Sequence, residues 1–291
     1  MSQSDSQAVT FQTVAVLGAG TMGAGIAQVC AQAGSSVVLQ DISDEFVAKG
    51  LARVRDFLQK GVLKGKVSEA RRDEVLERIT TTTDRVGAGR SADLVVEAVP
   101  EQLDLKNGLF RELAGVVAPG CVLASNTSSL SLARVFDGVA GPERCIGMHF
   151  FNPVPLMALL ELVRTAKTSQ ATIDAVSAYA VQLGKEAIVV VDSPGFASSR
   201  LGVCLGLEAI RMVESGVASA EDIDKALVRG YGHPMGPLRL TDLVGLDVRL
   251  AIADYLAKEL KHPGFEAPPL MRKMVAESKL GKKVGQGFYR W

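Results

Sequence analysis

The stretch VAVLGAGTMGAGIAQVCAQAG, residues 14–34, joins a short apolar run to a helical pattern through a glycine-rich turn. Its G-x-G-x-x-G spacing directly follows a predicted strand and opens a predicted helix, which is the setting typical of a dinucleotide site. The first glycine permits a tight turn, the second lets the backbone approach a diphosphate, and the third lets the helix pack on the strand. The phosphates would then face the positive end of the helix dipole. The candidate phosphate-binding residues are Gly18, Gly20, Thr21, Met22 and Gly23.

An acidic residue, Asp41, ends the next apolar run, twenty-three residues after Gly18. A carboxylate at this position can accept hydrogen bonds from both hydroxyls of an adenine ribose, and it would repel a 2′-phosphate. The following segment ISDEF, residues 42–46, offers no arginine to receive such a phosphate. The sequence therefore favours NAD over NADP as the cofactor.

Short apolar runs alternate with longer helical patterns through the first two-thirds of the chain. This alternation predicts an α/β fold, a Rossmann-like domain with a mostly parallel sheet covered by helices. Most runs are apolar on successive residues, as expected where helices bury both faces of a sheet. The predicted strands lie at 13–18, 36–41, 92–99, 121–126, 144–150, 159–163 and 187–192.

Strand signals stop after VVVDSPGF, and helical patterns take over. We therefore predict two domains, residues 10–192 and an all-α C-terminal domain at 193–291. In SSRLGVCLGLEAIRMVESG, residues 198–216, three charged residues mark one polar stripe on a helix that is otherwise apolar all round. Such a helix is expected to be buried against several neighbours or a second subunit. Further helices are predicted at 219–230, 246–260 and 268–278.

One imidazole and one carboxylate, His149 and Glu161, stand in the otherwise apolar stretch HFFNPVPLMALLEL, residues 149–162. The segment between the two predicted strands here is too short for the crossover that a parallel pair needs, so an antiparallel turn is predicted. Pairing across a turn centred near Val154 and Pro155 brings the two side chains opposite each other. A carboxylate on a buried strand is costly without a partner, and an imidazole near neutral pH can exchange protons in both directions. The alternative interpretation is that His149 is a hydrogen-bonded core residue and that Glu161 is a surface charge at the end of a strand.

Composition narrows the class of protein. The 291 residues are 47% hydrophobic, and 32 basic residues balance 32 acidic ones, so no basic field attracts nucleic acid or an anionic membrane. The four cysteines are widely spaced inside apolar runs, which predicts reduced core residues, and no cluster has the spacing of a metal site. The start, MSQSDSQAVTFQ, has no targeting pattern, and no apolar run reaches membrane-spanning length, so a cytoplasmic protein is expected.

Seven segments, taken in their order along the chain, resemble the (S)-3-hydroxyacyl-CoA dehydrogenases of short-chain substrates. The resemblance covers residues 13–291. It implies NAD-dependent oxidation of 3-hydroxybutyryl-CoA to acetoacetyl-CoA and the reverse, as in fatty acid β-oxidation. It also implies a helical C-terminal domain that forms a homodimer, and a substrate site in the cleft between the domains. The matching segments are GAGTMGAGIA, EAVPEQLDLK, SNTSSL, HFFNPVP, DSPGF, HPMGPLRLTDLVGLD and GKKVGQGFY.

By position, the resemblance implies that His149 and Glu161 are the catalytic pair and that Ser128 contacts both substrate and cofactor. Ser128 could equally cap the helix that follows it. Lys60 and Lys64, with Lys66 nearby, are candidates for the phosphates of coenzyme A, and a solvated helix end is the alternative. Positions near the nicotinamide half of the cofactor are Glu101, Lys106, Asn126, Asn152 and Lys283.

The chain departs from the family pattern at Ser199, where the family usually has an asparagine that helps to position the substrate. Serine still donates and accepts hydrogen bonds but has a shorter side chain, so the sequence leaves open which acyl group the site accepts. Two alternatives therefore remain beside the acyl-CoA dehydrogenase. One is a dehydrogenase of a free 3-hydroxy acid or sugar acid, such as a gulonate dehydrogenase. The other is a non-catalytic NAD-binding sensor.

Overall fold

The structure is a computed structural model that describes residues 10–291. Residues 1–9 lie outside this range. They make up most of the segment MSQSDSQAVTFQ, in which the sequence shows no targeting pattern. The chain divides into two compact units, the first ending at Asp192 and the second beginning at Ser193. Within the described range, no helix has both the length and the apolar composition that a membrane crossing requires.

The first unit contains one eight-stranded sheet in the order β3-β2-β1-β4-β5-β6-β7-β8. All neighbours pair in parallel except β6 and β7, which are antiparallel. The strands are β1 (Thr13–Leu17), β2 (Ser36–Gln40), β3 (Ile79–Thr82), β4 (Leu94–Glu97), β5 (Val122–Ser125), β6 (Cys145–Phe150), β7 (Leu159–Arg164) and β8 (Glu186–Val191). The helices are α1 (Thr21–Gln32), α2 (Asp44–Leu63), α3 (Glu69–Glu77), α4 (Arg85–Arg90), α5 (Leu103–Ala114), α6 (Leu132–Val135) and α7 (Gln170–Gln182).

The predicted α/β fold with a mostly parallel sheet is confirmed, and the central strands β4, β5 and β6 are buried along their whole length. Strand β3 is the one that the apolar runs did not reveal. Its sequence, ITTT, has a single apolar residue because β3 lies at the sheet edge and buries only Ile79. At the opposite edge, β8 leaves Val189 and Val191 about half exposed, so burial on both faces is wrong for this strand.

The second unit is helical, with a core built around one face of its first helix, α8. That face buries Val203, Leu207 and Ile210, while Leu201 and Leu205 on the same helix are 64% and 43% exposed. The predicted burial against several neighbours therefore applies to one face of α8, while another apolar part of the helix faces outward; burial against a second subunit stays a prediction. The helices are α8 (Ser198–Glu214), α9 (Ala220–Gly230), α10 (Pro237–Val244), α11 (Leu246–Leu260) and α12 (Pro269–Ala276). The short α10, which starts at a proline, was not among the predicted helices.

The cysteines differ in their surroundings. Cys30, Cys121 and Cys145 are buried, and desolvation raises the pKa of each thiol to about 12. These three are core residues, as the sequence predicts, and the raised pKa keeps their thiols protonated near neutral pH. Cys204 is exposed on α8, so the core assignment is wrong there, because α8 presents two faces with similar apolar sequence.

A buried carboxylate ties the C-terminal residues to helix α10 within the second unit. Asp242 on α10 is 0% exposed, and its oxygens accept hydrogen bonds from the backbone N–H groups of Phe288 and Tyr289, each at 2.9 Å. The indole Nε1–H of Trp291 donates to the same carboxylate at 3.0 Å. An ionised carboxylate offers acceptors alone, which is what three converging donors require.

We expect Asp242→Asn to lower the free energy of unfolding by about 2 kcal/mol, because the amide NH₂ would face donors and leave buried groups unpaired. Chemical denaturation followed by far-ultraviolet circular dichroism measures this change. Glu259→Gln, the same acid-to-amide change at an exposed position of α11, is the matched control and should stay within about 0.5 kcal/mol of the wild type. Equal stability of the two variants would contradict the role of Asp242.

Candidate active site

The glycine-rich loop between β1 and α1 is shaped by two close backbone approaches. Gly18 has φ +98°, and a Cβ built there would lie 2.6 Å from the carbonyl oxygen of Ala98. A Cβ on Gly23 would lie 1.7 Å from the carbonyl oxygen of Gly18, so helix α1 can pack on the loop only through glycine. Gly20 faces open space and is the N-cap residue of α1, where no side chain caps the helix. The first N–H groups of α1 therefore point outward, where a phosphate could accept them.

Asp41 follows β2 and closes against the same loop. Its Oδ2 accepts the N–H of Ala19 at 2.6 Å, and its Oδ1 accepts the N–H of Ile42 at 2.7 Å. These bonds fix the carboxylate at the rim of a cavity of about 560 Å³ that runs along the glycine loop. Gly18, Gly20, Asp41, Ile42, Arg53, Arg85, Val99 and Leu105 are among the residues that line this cavity.

Two arginines of this cavity were not predicted from the sequence, because neither lies close to Asp41 along the chain. Arg53 lies in the middle of α2, and Arg85 begins α4, each brought to the cavity by packing. Arg85 pairs with Glu112, which partly balances its charge. The carboxylate of Asp41 is therefore not the single charge at this end of the cavity.

A buried network of charges lies beside the ends of β4 and β5. Glu97 is 0% and Lys106 1% exposed, and the Lys106 Nζ lies 2.6 Å from Glu97 Oε1 and 3.1 Å from Glu101 Oε2. The amine also donates to the carbonyl oxygen of Val99 at 3.3 Å, and Ser125 Oγ donates to Glu97 at 2.7 Å. Desolvation raises the pKa of Glu97, and the charge and hydrogen bond of Lys106 oppose that rise. Three acceptors thus occupy the Lys106 amine inside the protein.

Glu101 in turn holds the loop that follows β5. Its Oε1 accepts the hydroxyl of Thr127 at 2.5 Å and the backbone N–H of Ser128 at 3.2 Å. Within residues 10–291 the Ser128 hydroxyl itself makes no hydrogen bond, and α6 starts later, with Ser131 as its N-cap residue. The helix-capping alternative for Ser128 is therefore not what the structure shows.

His149 and Glu161 lie directly opposite each other on the antiparallel strands β6 and β7. The His149 Nδ1 is 2.7 Å from Glu161 Oε2, and the two residues are 6% and 0% exposed. Since a carboxylate is an acceptor, the Nδ1–H of His149 donates to it. Next to the pair, Asn126 Oδ1 accepts the N–H of Phe150 at 2.9 Å, which ties the end of β6 to the loop after β5.

A buried lysine, Lys185, holds the turn between β6 and β7, and it was not predicted from the sequence. The Nζ of Lys185 donates to the carbonyl oxygens of Val154 at 2.5 Å and Met157 at 2.7 Å. Desolvation lowers the pKa of Lys185. Asn152, in the same turn, is exposed and lines a second cavity of about 100 Å³ together with residues of α1 and α2.

The remaining predicted positions are distributed over both units. Lys60 and Lys64 are exposed at the end of α2, and neither has an ion pair within the described residues. In the second unit, Ser199 lies in the first turn of α8, and Lys283 Nζ lies 2.6 Å from Asp247 Oδ1. Within the first unit, the glycine loop thus contacts Asp41. Glu101 contacts both Lys106 and Ser128.

One sequence signal could have found Glu97. It is a carboxylate inside the apolar run ADLVVEAV, which is the same cue that singled out Glu161. A buried carboxylate in a strand needs a cationic or hydrogen-bonding partner. Lys185 and the two cavity arginines carry no comparable signal, because exposed basic residues are common on helices and strand edges.

The chain matches two family models that together cover almost all of it. The model described as "3-hydroxyacyl-CoA dehydrogenase, NAD binding domain" matches residues 13–193, and that described as "3-hydroxyacyl-CoA dehydrogenase, C-terminal domain" matches residues 195–291. A 3-hydroxybutyryl-CoA dehydrogenase of Mycobacterium tuberculosis is 46% identical over 283 residues, which are 97% of this chain and 99% of that protein.

Two further proteins are similar over the same length. The mitochondrial hydroxyacyl-coenzyme A dehydrogenase of Sus scrofa is 43% identical over 290 residues, covering 97% of this chain and 92% of that one. The crystal structure of the (S)-3-hydroxybutyryl-CoA dehydrogenase from Ralstonia eutropha matches with a TM-score of 0.92 at 43% identity. That match covers 97% of this chain and 99% of the other.

We expect Lys106→Met to lower the free energy of unfolding by about 3 kcal/mol near neutral pH, because Glu97 keeps a buried charge without its cation. Without the lysine, the pKa of folded Glu97 lies further above its unfolded value, so stability is lost as pH rises through the folded pKa. The difference from the wild type should therefore grow between about pH 5 and about pH 8.

Urea denaturation across this pH range measures the difference. The double variant Lys106→Met with Glu97→Gln is the matched control, since it removes both charges and should recover part of the lost stability. A penalty for Lys106→Met that does not vary with pH would contradict the pairing with Glu97.

Proposed function

The chain belongs to the 3-hydroxyacyl-CoA dehydrogenase family, and we propose that it prefers short (S)-3-hydroxyacyl thioesters, most simply 3-hydroxybutyryl-CoA, using His149 and Glu161 as its acid–base pair. The reaction is the NAD-dependent oxidation of a 3-hydroxyacyl-CoA to the 3-ketoacyl-CoA. The observation that carries the proposal is the buried contact of 2.7 Å between the imidazole and the carboxylate.

The residues of the glycine loop fit a bound dinucleotide. A Cβ at Gly18 or Gly23 would collide with a backbone carbonyl oxygen, so glycine at both positions keeps the loop tight, and a Cβ at Gly20 would project into open space beside the loop. The uncapped start of α1 supplies outward N–H groups for phosphate oxygens. We assign phosphate contacts to Gly18, Gly20, Thr21, Met22 and Gly23, and the adenine ribose to Asp41. When bound, NAD supplies the hydride acceptor of the reaction.

His149 is the group that moves the proton. In oxidation its Nε2 takes the proton of the substrate hydroxyl, and in reduction the same nitrogen returns it. The hydrogen bond from Nδ1–H to Glu161 fixes the tautomer that leaves Nε2 as the base, and the carboxylate stabilises the imidazolium cation as it forms. Because Glu161 is 0% exposed, its charge is poorly screened and acts strongly on the imidazole.

Ser128 and Glu101 complete the proposed site. The Ser128 hydroxyl is a donor for the substrate oxygen, and Glu101 sets its position by accepting the backbone N–H of the same residue. Lys106 acts through Glu101, since its amine is bound inside the protein. We place Asn126, Asn152 and Lys283 near the nicotinamide half of the cofactor. Lys60, Lys64 and Ser199 are assigned to the acyl-CoA.

A homodimer through the second unit is part of the proposal. Leu201 and Leu205 form an outward apolar strip on α8, one turn apart, beside the exposed Cys204. A contiguous exposed apolar surface marks a site that another protein can cover, and these two leucines are where we place it. The cytoplasmic location expected from the sequence stays a prediction.

We expect His149→Gln to reduce the rate of NADH oxidation with acetoacetyl-CoA about 100-fold or more, which is the contribution of a lost acid–base catalyst. Glu161→Gln should cause a smaller loss, because the imidazole keeps its position but loses the charge that stabilises the imidazolium. Absorbance at 340 nm measures both rates, and His233→Gln at an exposed loop histidine is the matched control.

Free acetoacetate and free keto sugar acids are assayed beside the thioester. A wild-type protein that is inert on acetoacetyl-CoA but reduces a free keto acid would reject the acyl-CoA assignment and point to Ser199 as the cause. A protein that binds NADH and reduces none of these compounds would support the sensor alternative.

The double variant Leu201→Glu with Leu205→Glu should convert a dimer into a monomer, because four charges would be buried across a two-fold interface. Sedimentation velocity measures the mass of each species. Leu63→Glu, at a leucine 78% exposed at the end of α2, is the matched control and should not change the mass. A wild-type monomer, or a variant that stays dimeric, would refute this interface.

A further inference from the structure

One face of α2 carries a line of cationic and aromatic side chains. Arg53, Phe57, Lys60 and Lys64 follow one another at intervals of four, three and four residues, and Lys64 is the C-cap residue of the helix. On an α-helix these intervals place side chains along one stripe. Within the described residues none of the three cations has an acidic partner at ion-pair distance, unlike Lys49 on the same helix, which pairs with Glu45.

Arg53 differs from the two lysines because it is anchored at the glycine loop. Its Nη1 donates to the carbonyl oxygen of Ala19 at 3.2 Å, and Ala19 lies between Gly18 and Gly20. A guanidinium carries five N–H donors in a rigid plane, so one such bond leaves several donors beside the loop. The contact thus holds a positive charge next to the outward N–H groups that start α1.

Two cavities of the first unit meet at this arginine. Arg53 lines the cavity of about 560 Å³ that contains Gly20 and Asp41. It also lines the second cavity, of about 100 Å³, in which the half-buried ring of Phe57 faces residues of the turn after β6. The residues around this second cavity include Thr21, Gln28, Arg53, Phe57, Asn152 and Pro155.

We propose that Arg53 binds a phosphate of a nucleoside diphosphate at the junction of the two cavities, with Phe57 as the adjoining apolar wall. The inference rests on the proposed function, in which both NAD and the acyl-CoA carry a diphosphate. A guanidinium suits this role because its planar fork can donate two charge-assisted hydrogen bonds to one phosphate group. Arg53 is a binding residue, and it takes no part in proton transfer.

The test compares Arg53→Met with Arg55→Met, the loss of an exposed arginine two positions along α2 that lines neither cavity. Fluorescence titration gives the dissociation constant of NADH. Steady-state rates give KM and kcat for acetoacetyl-CoA and for acetoacetyl-pantetheine, a thioester that lacks the nucleotide and its diphosphate. Arg53→Lys keeps the charge but loses the fork, and it should recover part of the binding.

A loss of NADH affinity of about 10-fold or more, with unchanged KM for both thioesters, assigns the phosphate to the cofactor. A rise of similar size in KM for acetoacetyl-CoA, with no change for acetoacetyl-pantetheine, assigns it to the substrate. Arg53→Met indistinguishable from Arg55→Met overturns the proposal, as does an equal effect on both thioesters with unchanged NADH affinity.

The experiments distinguish a failure of the proposed function from a failure of this inference. If the wild type does not reduce acetoacetyl-CoA, the assignment of substrate is wrong. Titration calorimetry of NADH and of coenzyme A against the wild type and Arg53→Met still tests phosphate binding in that case. Unchanged affinity for both nucleotides would then overturn the role of Arg53.

Discussion

The hydrogen bond between His149 and Glu161 is the interaction on which the chemistry of this protein depends in our proposal. A carboxylate that is 0% exposed on a strand would be strongly unfavourable without a partner, and the imidazole supplies that partner at 2.7 Å. The contact exists because β7 reverses direction relative to β6, so that the two residues face each other across the ladder. In a parallel arrangement the short turn between these strands could not form.

Other buried charges each position a loop rather than adding to the hydrophobic core. Lys185 holds the turn between β6 and β7 through two carbonyl oxygens. Lys106, which is paired with Glu97, holds Glu101, and Glu101 in turn fixes the loop that carries Ser128. Such networks are costly to leave half satisfied, so each loop has one favoured position. The proposed site is therefore preorganised, because hydrogen bonds and ion pairs hold its loops against the sheet.

Most of the fold was predictable from local patterns, and the exceptions have physical causes. Seven of the eight strands were visible as apolar runs, whereas β3 was not, because an edge strand needs little apolar surface. The orientation of α8 could not be predicted from a sequence that is apolar on nearly all sides. Which leucines and which cysteine face outward depends on the helices packed against it, and Cys204 is the residue for which this mattered.

The sequence by itself determined the glycine loop, the acid after β2 and the pairing of His149 with Glu161, because each depends on residues close together in the chain. Tertiary structure decided the roles of the basic residues. Lys106 and Arg53 both lie on helices beside the site, yet Lys106 is 1% exposed and bound to two carboxylates, while Arg53 reaches the glycine loop and two cavities. A long side chain takes its direction from the elements that pack around it, and those elements lie far away in the sequence.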